Sequence, residues 1–256
     1  MGGISSSGRE LNRQGELIKN IKLTIEFDGT DYAGWQIQSG QPTVQGLIEN
    51  AVARVFGQAI TVYGCSRTDA GVSARNYTAN FFMPLKLPVD RIPAALNHYL
   101  PPAIYVHQAE VVPDDFHARY SARVKTYVYH LICGRSPLRR RFAWEYPGRL
   151  DLSRLKKGAR LFVGTRDFSR FCFVRSGNGV CTVKSITVRS RQDELLITVR
   201  GDRFLYKLVR RMVGALVAYA AGRITSRDIR AALAGRKHKP FITAPAHGLI
   251  LERVGY

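Results

Sequence analysis

The chain has 256 residues, of which 45% are hydrophobic, and it carries 39 Lys and Arg against 19 Asp and Glu, a formal net charge of +20. This length suits one large or two modest globular domains with a real core, and no apolar run approaches the roughly 20 residues that span a bilayer. Because its four cysteines lack CxxC spacing, neither a zinc site nor a disulfide framework is expected.

The first half of the chain predicts a tail followed by alternating strands and helices. Residues 1–18 open with a Gly- and Ser-rich, aperiodic run and are predicted to be a disordered tail. They contain no secretory signal, so the protein is expected to be reduced, soluble and cytoplasmic. Thr43 is the expected N-cap of the first helix, and Gly57 is its expected stop. The predicted order is β-α-β-β-α-β, with strands at 18–29, 59–65, 76–83 and 103–112 and helices at 43–57 and 89–100.

The second half repeats this order with one added helix. Asp151 and Ser226 are expected to cap two of its helices, and the strands 181–192 and 194–201 are expected to pair as a hairpin. The predicted elements are strands at 124–133, 181–192, 194–201 and 248–254 and helices at 151–164, 204–222 and 226–235.

Two such copies predict an α+β protein built from two βαββαβ halves, each an antiparallel sheet with helices on one face. The boundary is placed near "PDDFHARYSA" (113–122), which gives an N-terminal half at 19–116 and a C-terminal half at 117–256. The two copies are too diverged to align, so this duplication rests on the order of the elements.

The positive charge is concentrated in the second half. Residues 21–122 contain seven basic and nine acidic residues, whereas residues 123–256 contain 29 basic and eight acidic residues, a net charge of +21. A surface that is basic only for solubility would spread its charge, and this remains the alternative. The asymmetry indicates instead that the second half binds a phosphate backbone, so nucleic acid is the first partner to expect.

One acidic residue lies in a stretch bounded by glycine and small residues. Asp69 belongs to "SRTDAGVSA" (66–74), between two predicted strands, and loops at strand ends often carry function. The alternative is an ordinary turn-forming Asp. A metal-dependent nuclease would need several converging ligands, and this loop offers one acid. Asp69 is therefore predicted to act as a nucleophile or a base, kept ionised by Arg, which lowers the pKa of a carboxylate.

Aromatic residues suggest how a nucleic acid could be held. Tyr127 and Tyr129 share one face of a predicted strand, and Arg is interleaved with aromatic residues in "RRRFAW" (139–144) and "RFLYK" (203–207). Such combinations stack on bases and bind phosphates. The alternative is that Tyr127 and Tyr129 are core residues of a sheet.

Several stretches, taken in order, resemble the TruA family of tRNA pseudouridine synthases from about residue 19 to residue 255. The RTDAG loop followed by HAR-x-SA is the most specific combination. The stretches that carry the resemblance are "FDGTDYAGWQIQ" (27–38), "VQGLIENAV" (44–52), "SRTDAGVSA" (66–74), "PDDFHARYSA" (113–122), "KTYVY" (125–129), "FLYKLVRRMVG" (204–214) and "APAHGLIL" (244–251).

The resemblance implies an isomerase that converts uridine to pseudouridine in the tRNA anticodon stem-loop, at positions 38, 39 and/or 40. It also implies a homodimer with neither cofactor nor metal, and a catalytic cleft between the two halves. The family's catalytic aspartate falls on Asp69, the arginine that pairs with it on Arg210, its loop arginine on Arg67, and the tyrosine near the target base on Tyr127. On this hypothesis Arg67 fills the space left by a flipped base and Tyr127 stacks on the uridine, while Asp69 attacks C1′ or removes the C2′ proton.

The chain departs from the family pattern near these residues but not at them. Ser66 and Ser73 stand where Gly and His are common, "RNYTANF" (75–81) replaces a commoner Gly-Gln start, and Lys207 stands where His is frequent. One rival function is an RNA-binding protein with two RRM-like halves, whose element order is the same. Against that rival, the sequence contains no RNP1 run, and an RNA-binding protein without enzymatic activity would have no need of Asp69. A second rival is a related synthase that acts on other RNAs.

Overall fold

The computed structural model describes residues 17–85, 87–172 and 179–256. Their contacts form two compact units. Within the described ranges, the first unit comprises residues 17–70 and 74–122, and the second comprises residues 71–73 and 123–256. This division falls a few residues beyond the boundary predicted after residue 116. Residues 1–16 of the predicted tail lie outside the described residues, and Ile18 begins the first strand.

The first unit has the predicted order β-α-β-β-α-β. Its central strand pairs in antiparallel register with two neighbours, so that Leu23 lies opposite Ala79 on one side and Ala109 on the other. The fully buried Ile21, Leu23 and Ile25 alternate along that strand and form part of the core. The elements are β1 (Ile18–Phe27), α1 (Val44–Phe56), β2 (Tyr63–Gly64), β3 (Ser73–Pro84), α2 (Ile92–Asn97) and β4 (Ile104–Val112).

The predicted strand at 59–65 is reduced to the two residues of β2, which pair with β3. The reason lies in α1, whose side chains bind the backbone that a strand partner would otherwise bind. Glu49 accepts from the Val62 N–H (2.9 Å), and the Gln45 side-chain amide donates to the Val62 carbonyl (3.1 Å). The predicted start and stop of α1 are confirmed, since Thr43 accepts from the Gly46 N–H and Gly57 takes a left-handed φ of 72°.

The second unit contains an antiparallel sheet with strand order β10-β5-β9-β8-β7, and β6 adds a parallel pairing to β5. Helix α3 packs against α4 and β8. The predicted α+β class with antiparallel sheets is therefore confirmed. The elements are β5 (Val124–Cys133), β6 (Trp144–Tyr146), α3 (Leu152–Phe162), β7 (Gly164–Asp167), β8 (Val180–Arg191), β9 (Glu194–Gly201), α4 (Leu208–Ala220), α5 (Ser226–Leu233) and β10 (Leu249–Gly255).

The second unit differs from the prediction at its short strands and its helix starts. Strands β6 and β7 were not predicted, because three or four residues are too few to show an alternating pattern. Helix α4 begins at Leu208 and not at residue 204, since Lys207 takes a left-handed φ of 59°. Helix α5 is capped by Thr225 and not by Ser226, through a reciprocal pair of bonds with Asp228. The predicted cap of α3 is confirmed, since Asp151 accepts from the Arg154 N–H.

Two buried amide side chains connect the sheet of the first unit to residues 113–121, which we call the 113–121 turn. Asn20 and Asn80 are both fully buried, and the Asn80 amide donates to the Asn20 side-chain oxygen (2.9 Å). Asn20 in turn donates to the carbonyls of Pro113 (3.0 Å) and Phe116 (2.7 Å), and Asn80 accepts from the Ala118 N–H (2.9 Å). Every one of these bonds joins residues far apart in the sequence, so the turn depends on the sheet.

We expect Asn80→Ala to lower the free energy of unfolding by about 2 kcal/mol or more, because it leaves the Ala118 N–H and the Asn20 oxygen buried without this partner. Urea unfolding of the purified protein measures the change. The control is Asn50→Ala on the exposed surface of α1, which should stay within about 0.5 kcal/mol of the wild type. Equal midpoints for the two variants would show that the buried amides do not hold the turn.

Candidate active-site loop

Asp69 lies in the loop that connects β2 to β3, where the sequence predicts it. Thr68 is buried, whereas Arg67 on one side of it is exposed and Asp69 on the other is half-buried. The loop therefore buries the Thr68 side chain and presents an exposed arginine and a half-buried aspartate two positions apart.

A buried aromatic cluster supports the start of this loop. The Trp35 and Tyr77 rings stack with centroids 4.1 Å apart, and Phe27 packs against Tyr77 at 5.4 Å. The Tyr77 hydroxyl donates to the Ser66 carbonyl and accepts from the Ser66 N–H (3.3 Å). One side chain of β3 thus binds both the N–H and the carbonyl of Ser66, the residue before Arg67.

The middle of the loop is held by Gly34 and Trp35. The Trp35 N–H donates to the Thr68 carbonyl (3.3 Å). Gly34 has a φ of 98°, and a Cβ atom there would lie 2.6 Å from the Thr68 carbonyl oxygen and 3.1 Å from the Ala70 nitrogen. Only glycine permits this approach, so the backbone around Asp69 is fixed by close packing.

Gly34, Trp35 and Tyr77 were not predicted as site residues, although all three support the loop. The signal that could have found Gly34 and Trp35 is their place within "FDGTDYAGWQIQ", a stretch that carries the family resemblance without containing a candidate catalytic group. Tyr77 gave no comparable signal, because a tyrosine in a β-strand is usually a core residue.

Tyr127 and Arg210 lie in the second unit. Tyr127 is on β5, only 5% exposed, and packs edge to face against Phe204 with ring centroids 5.4 Å apart. Its neighbours across the sheet are Leu251 and Val199. This packing is what the core alternative requires, and the role of Tyr127 in stacking on a substrate base stays a prediction.

Arg210 is half-buried in the first turn of α4. Its Nε donates to the Ala244 carbonyl (2.8 Å), and the Ala244 N–H donates to the Arg210 carbonyl (3.1 Å). Both the side chain and the backbone of Arg210 are thus bonded to Ala244, in the segment that precedes β10. The predicted pairing of Arg210 with Asp69 stays a prediction.

Two titratable side chains near Arg210 have pKa values shifted by burial. Burial raises the pKa of Tyr129, an effect that the Arg210 charge partly opposes, and the Tyr129 hydroxyl donates to the Pro245 carbonyl (2.9 Å). Burial also lowers the pKa of His247, and the Arg210 charge adds to that effect. Both shifts favour the uncharged form of the side chain.

The basic run "LRRRF" (138–142) divides into residues with different roles. Arg139 forms two bonds with the Asp193 carboxylate, of 2.5 and 3.0 Å, and its Nε donates to the Ser136 hydroxyl (3.0 Å). The bonds to Arg139 lower the pKa of Asp193. Arg140 and Arg141 are exposed, so they are better placed than Arg139 to bind phosphate.

Within residues 17–85, 87–172 and 179–256, no cluster of three or more His, Cys, Asp or Glu side chains is arranged to hold a metal ion. In the same ranges, none of the helices is both long enough and apolar enough to cross a membrane.

Comparison with known proteins shows similarity over nearly the whole chain. A model of the tRNA pseudouridine synthase family matches residues 23–121 and 159–256. The tRNA pseudouridine synthase A of Halalkalibacterium halodurans is 39% identical over 242 residues, which is 92% of each chain. The protein of that name from Syntrophotalea carbinolica is 42% identical over 243 residues, 92% of this chain and 96% of the relative. The one from Rhodopseudomonas palustris is 41% identical over 247 residues, 93% and 100% of the two chains.

Among solved structures, the crystal structure of the archaeal box H/ACA sRNP Nop10-Cbf5 complex matches 77% of this chain and 43% of its own chain. The match has 10% identity and a TM-score of 0.36. A likeness at this level supports no inference about this chain.

We expect Tyr77→Phe to lower the free energy of unfolding by about 1 kcal/mol, because the ring packing stays while the Ser66 backbone loses the hydroxyl. Amide hydrogen exchange at Ser66 and Arg67 should accelerate. The control is Tyr105→Phe, at a tyrosine that is 53% exposed on β4, which should change neither quantity. Unaltered exchange at Ser66 in the Tyr77 variant would mean that the hydroxyl does not hold the loop.

Proposed function

Because the chain belongs to the tRNA pseudouridine synthase family, and is therefore an isomerase that acts on tRNA, we propose that the uridines it converts lie in the anticodon stem-loop, at positions 38, 39 and/or 40. The support is the family resemblance of the RTDAG loop and of the HAR-x-SA stretch, in a chain that matches its relatives over nearly their full length. We also propose that the protein acts in the cytoplasm as a homodimer.

Asp69 is the group that carries the chemistry in this proposal. Uridine becomes pseudouridine when the bond between N1 and C1′ breaks, the base rotates, C5 bonds to C1′, and the C5 proton is lost while N1 gains one. Substrate and product are isomers, so the balance needs no co-reactant. A single carboxylate can serve by attacking C1′ or by removing the C2′ proton. The observation that carries the proposal is that this carboxylate is accessible on a loop whose backbone is bound at Ser66 and Thr68.

Arg67 serves a different step. A uridine within a stem must leave the stack before its sugar can be reached, which costs a few kcal/mol. The Arg67 side chain is exposed, and its backbone lies between the two anchored positions of the loop. It can therefore enter the space that the base leaves, while the loop holds Asp69 in place. In this proposal Tyr127 stacks on the flipped base, and Arg210 pairs with Asp69 to keep it ionised and oriented.

The charge distribution supports a division of work between binding and chemistry. The excess positive charge of residues 123–256 attracts the phosphates of a tRNA. Exposed arginines such as Arg140 and Arg141 supply contacts that carry no sequence information. Residues 21–122 are close to neutral, so the half that holds the carboxylate adds little net repulsion of an anionic substrate.

The test is chemical mapping of pseudouridine in unmodified tRNA transcripts incubated with the purified chain alone. Conversion should occur at positions 38, 39 or 40 and should disappear from any of these positions that is changed from U to C. Conversion confined to other positions, or to RNAs other than tRNA, would contradict the proposed site of action.

We expect Asp69→Asn to abolish conversion and to leave tRNA affinity within a few-fold of the wild type, because the change is nearly isosteric and binding lies mainly with the basic half. Single-turnover assays and filter binding measure the two effects. The control is Asp90→Asn, at an exposed carboxylate, which should match the wild type in both. Appreciable turnover by the Asp69 variant would remove Asp69 from the mechanism.

We expect Arg67→Ala to slow single-turnover conversion of a paired uridine about tenfold or more, equal to about 1.4 kcal/mol of barrier. A transcript whose target uridine is mismatched is cheaper to open, so it should partly rescue this variant and should not rescue Asp69→Asn. The control is Arg91→Ala, another exposed arginine of the first unit. Equal defects on paired and mismatched substrates would assign Arg67 to support of the loop and not to base flipping.

A further inference from the structure

Three aromatic rings form a row on the surface of the first unit. The Tyr63 and His117 ring centroids are 5.2 Å apart, and the His117 and Tyr120 centroids are 4.4 Å apart. Tyr120 is 78% exposed and Tyr63 is 40% exposed. Contiguous exposed rings offer a flat surface on which a planar ligand can stack, so this row is a candidate binding surface.

The row is rigidly held. His117 donates its N–H to the Ser121 hydroxyl (3.0 Å), and its carbonyl accepts from the Ser121 N–H (2.9 Å). The imidazole Nδ1 accepts from the Arg119 N–H (3.0 Å), which fixes the ring and leaves the proton of the neutral form on Nε2. The buried amides of Asn20 and Asn80 hold the rest of the 113–121 turn, and Tyr63 lies opposite Asn80 where β2 pairs with β3.

The chemistry of the row favours a nucleobase as its ligand. The Arg119 guanidinium lies 5.7 Å from the Tyr120 ring centroid, and the combination of aromatic rings with arginine stacks on bases. Burial lowers the pKa of His117, and the Arg119 charge adds to that effect, so the imidazole is a neutral ring near pH 7. Asp114 and Asp115 are exposed in the same turn and repel phosphate, whereas the face of a base carries no charge.

The row lies close to the candidate active-site loop along the chain. Tyr63 is in β2, and the loop that carries Arg67 and Asp69 follows that strand directly. Asp69 is six positions after Tyr63 in the sequence, so the two Cα atoms are at most about 21 Å apart. An RNA whose target nucleotide is at Asp69 can therefore place a nearby nucleotide on the row.

We propose that Tyr63, His117 and Tyr120 form a stacking platform for one unpaired base of the tRNA, separate from the uridine that is converted. The proposal rests on the proposed function only in taking tRNA as the ligand. It assigns to the HAR-x-SA stretch a role in positioning the substrate, where the buried amides hold the turn and its exposed rings bind the base.

The first experiment measures tRNA affinity in three variants of the full chain. Tyr120→Leu should raise the Kd for an unmodified tRNA transcript about tenfold, since stacking of one base is worth about that much. Tyr120→Phe keeps the ring and should change the Kd less than about twofold if the ring face is what binds. The control is Tyr105→Leu, which should have no effect.

Tyr105 is a suitable control for Tyr120, because it is likewise an exposed tyrosine whose ring contacts a histidine. It is 53% exposed and lies edge to face against His107, with ring centroids 5.0 Å apart. It lies on β4, outside the row and the 113–121 turn, so the proposal assigns no base to it. Equal affinities for Tyr120→Leu and Tyr105→Leu would overturn the platform.

A second experiment identifies the base by a double-mutant cycle. Transcripts that carry one abasic nucleotide at each unpaired position are bound to the wild type and to Tyr120→Leu. One abasic position should weaken binding to the wild type and have no further effect on the variant, which is the signature of direct coupling. If every abasic position weakens both proteins equally, no base contacts the row and the proposal fails.

The rival occupant is a second copy of this chain, and sedimentation tests it. If the sedimenting mass of Tyr120→Leu is lower than that of the wild type, the rings belong to a protein interface and the proposal is overturned. An unchanged sedimenting mass supports the proposal.

The proposed function is tested separately, by pseudouridine mapping with the wild-type protein. A platform that fails these tests leaves the proposed function standing, and coupling at one base supports the platform whichever uridines are converted.

Discussion

The start of the candidate active-site loop is held by one buried hydroxyl. Tyr77 binds both backbone groups of Ser66 and is itself held by its stacking on Trp35. Without the hydroxyl, Ser66 would lose both of these bonds to β3, and the bond from the Cys65 N–H to the Thr78 carbonyl (2.9 Å) would remain. The backbone N–H of Trp35 binds the Thr68 carbonyl, and Gly34, which has no Cβ atom, packs closely against the same carbonyl. These two contacts hold the loop backbone at Thr68. A carboxylate on such a loop approaches its substrate without first having to be ordered.

The same strand also holds the 113–121 turn, which carries two of the three rings of the proposed platform. Tyr77 and Asn80 are three residues apart on β3, so their side chains point to opposite faces of the sheet. Tyr77 binds the active-site loop, and Asn80 binds the 113–121 turn together with Asn20. One strand therefore holds both the loop and the turn. Changes within it are expected to affect tRNA modification through geometry and not through contact.

Electrostatics separate the two halves of the chain. An isomerase that acts on tRNA must attract a polyanion and also bring a carboxylate to it, and these needs conflict when they share one surface. Placing nearly all excess positive charge after residue 122 reduces the conflict. Not every basic residue there is available for RNA, however. Arg139 forms an ion pair with Asp193, and the Arg210 side chain donates to the Ala244 carbonyl.

The sequence by itself determined the element order of the first unit, the fold class and the family. It also placed Asp69 and Arg67 on a loop between strands, because alternating apolar residues, capping side chains and the RTDAG loop are local signals. It did not determine the two-residue length of β2, the start of α4 or the burial of Tyr127. Those features result from contacts between distant residues, such as Glu49 with Val62 and Phe204 with Tyr127. The support that Gly34, Trp35 and Tyr77 give to the loop, and the alignment of Tyr63 with His117 and Tyr120, were likewise decided only by the tertiary structure. Each depends on side chains that folding brings together from separate parts of the chain, and no local pattern records such an encounter.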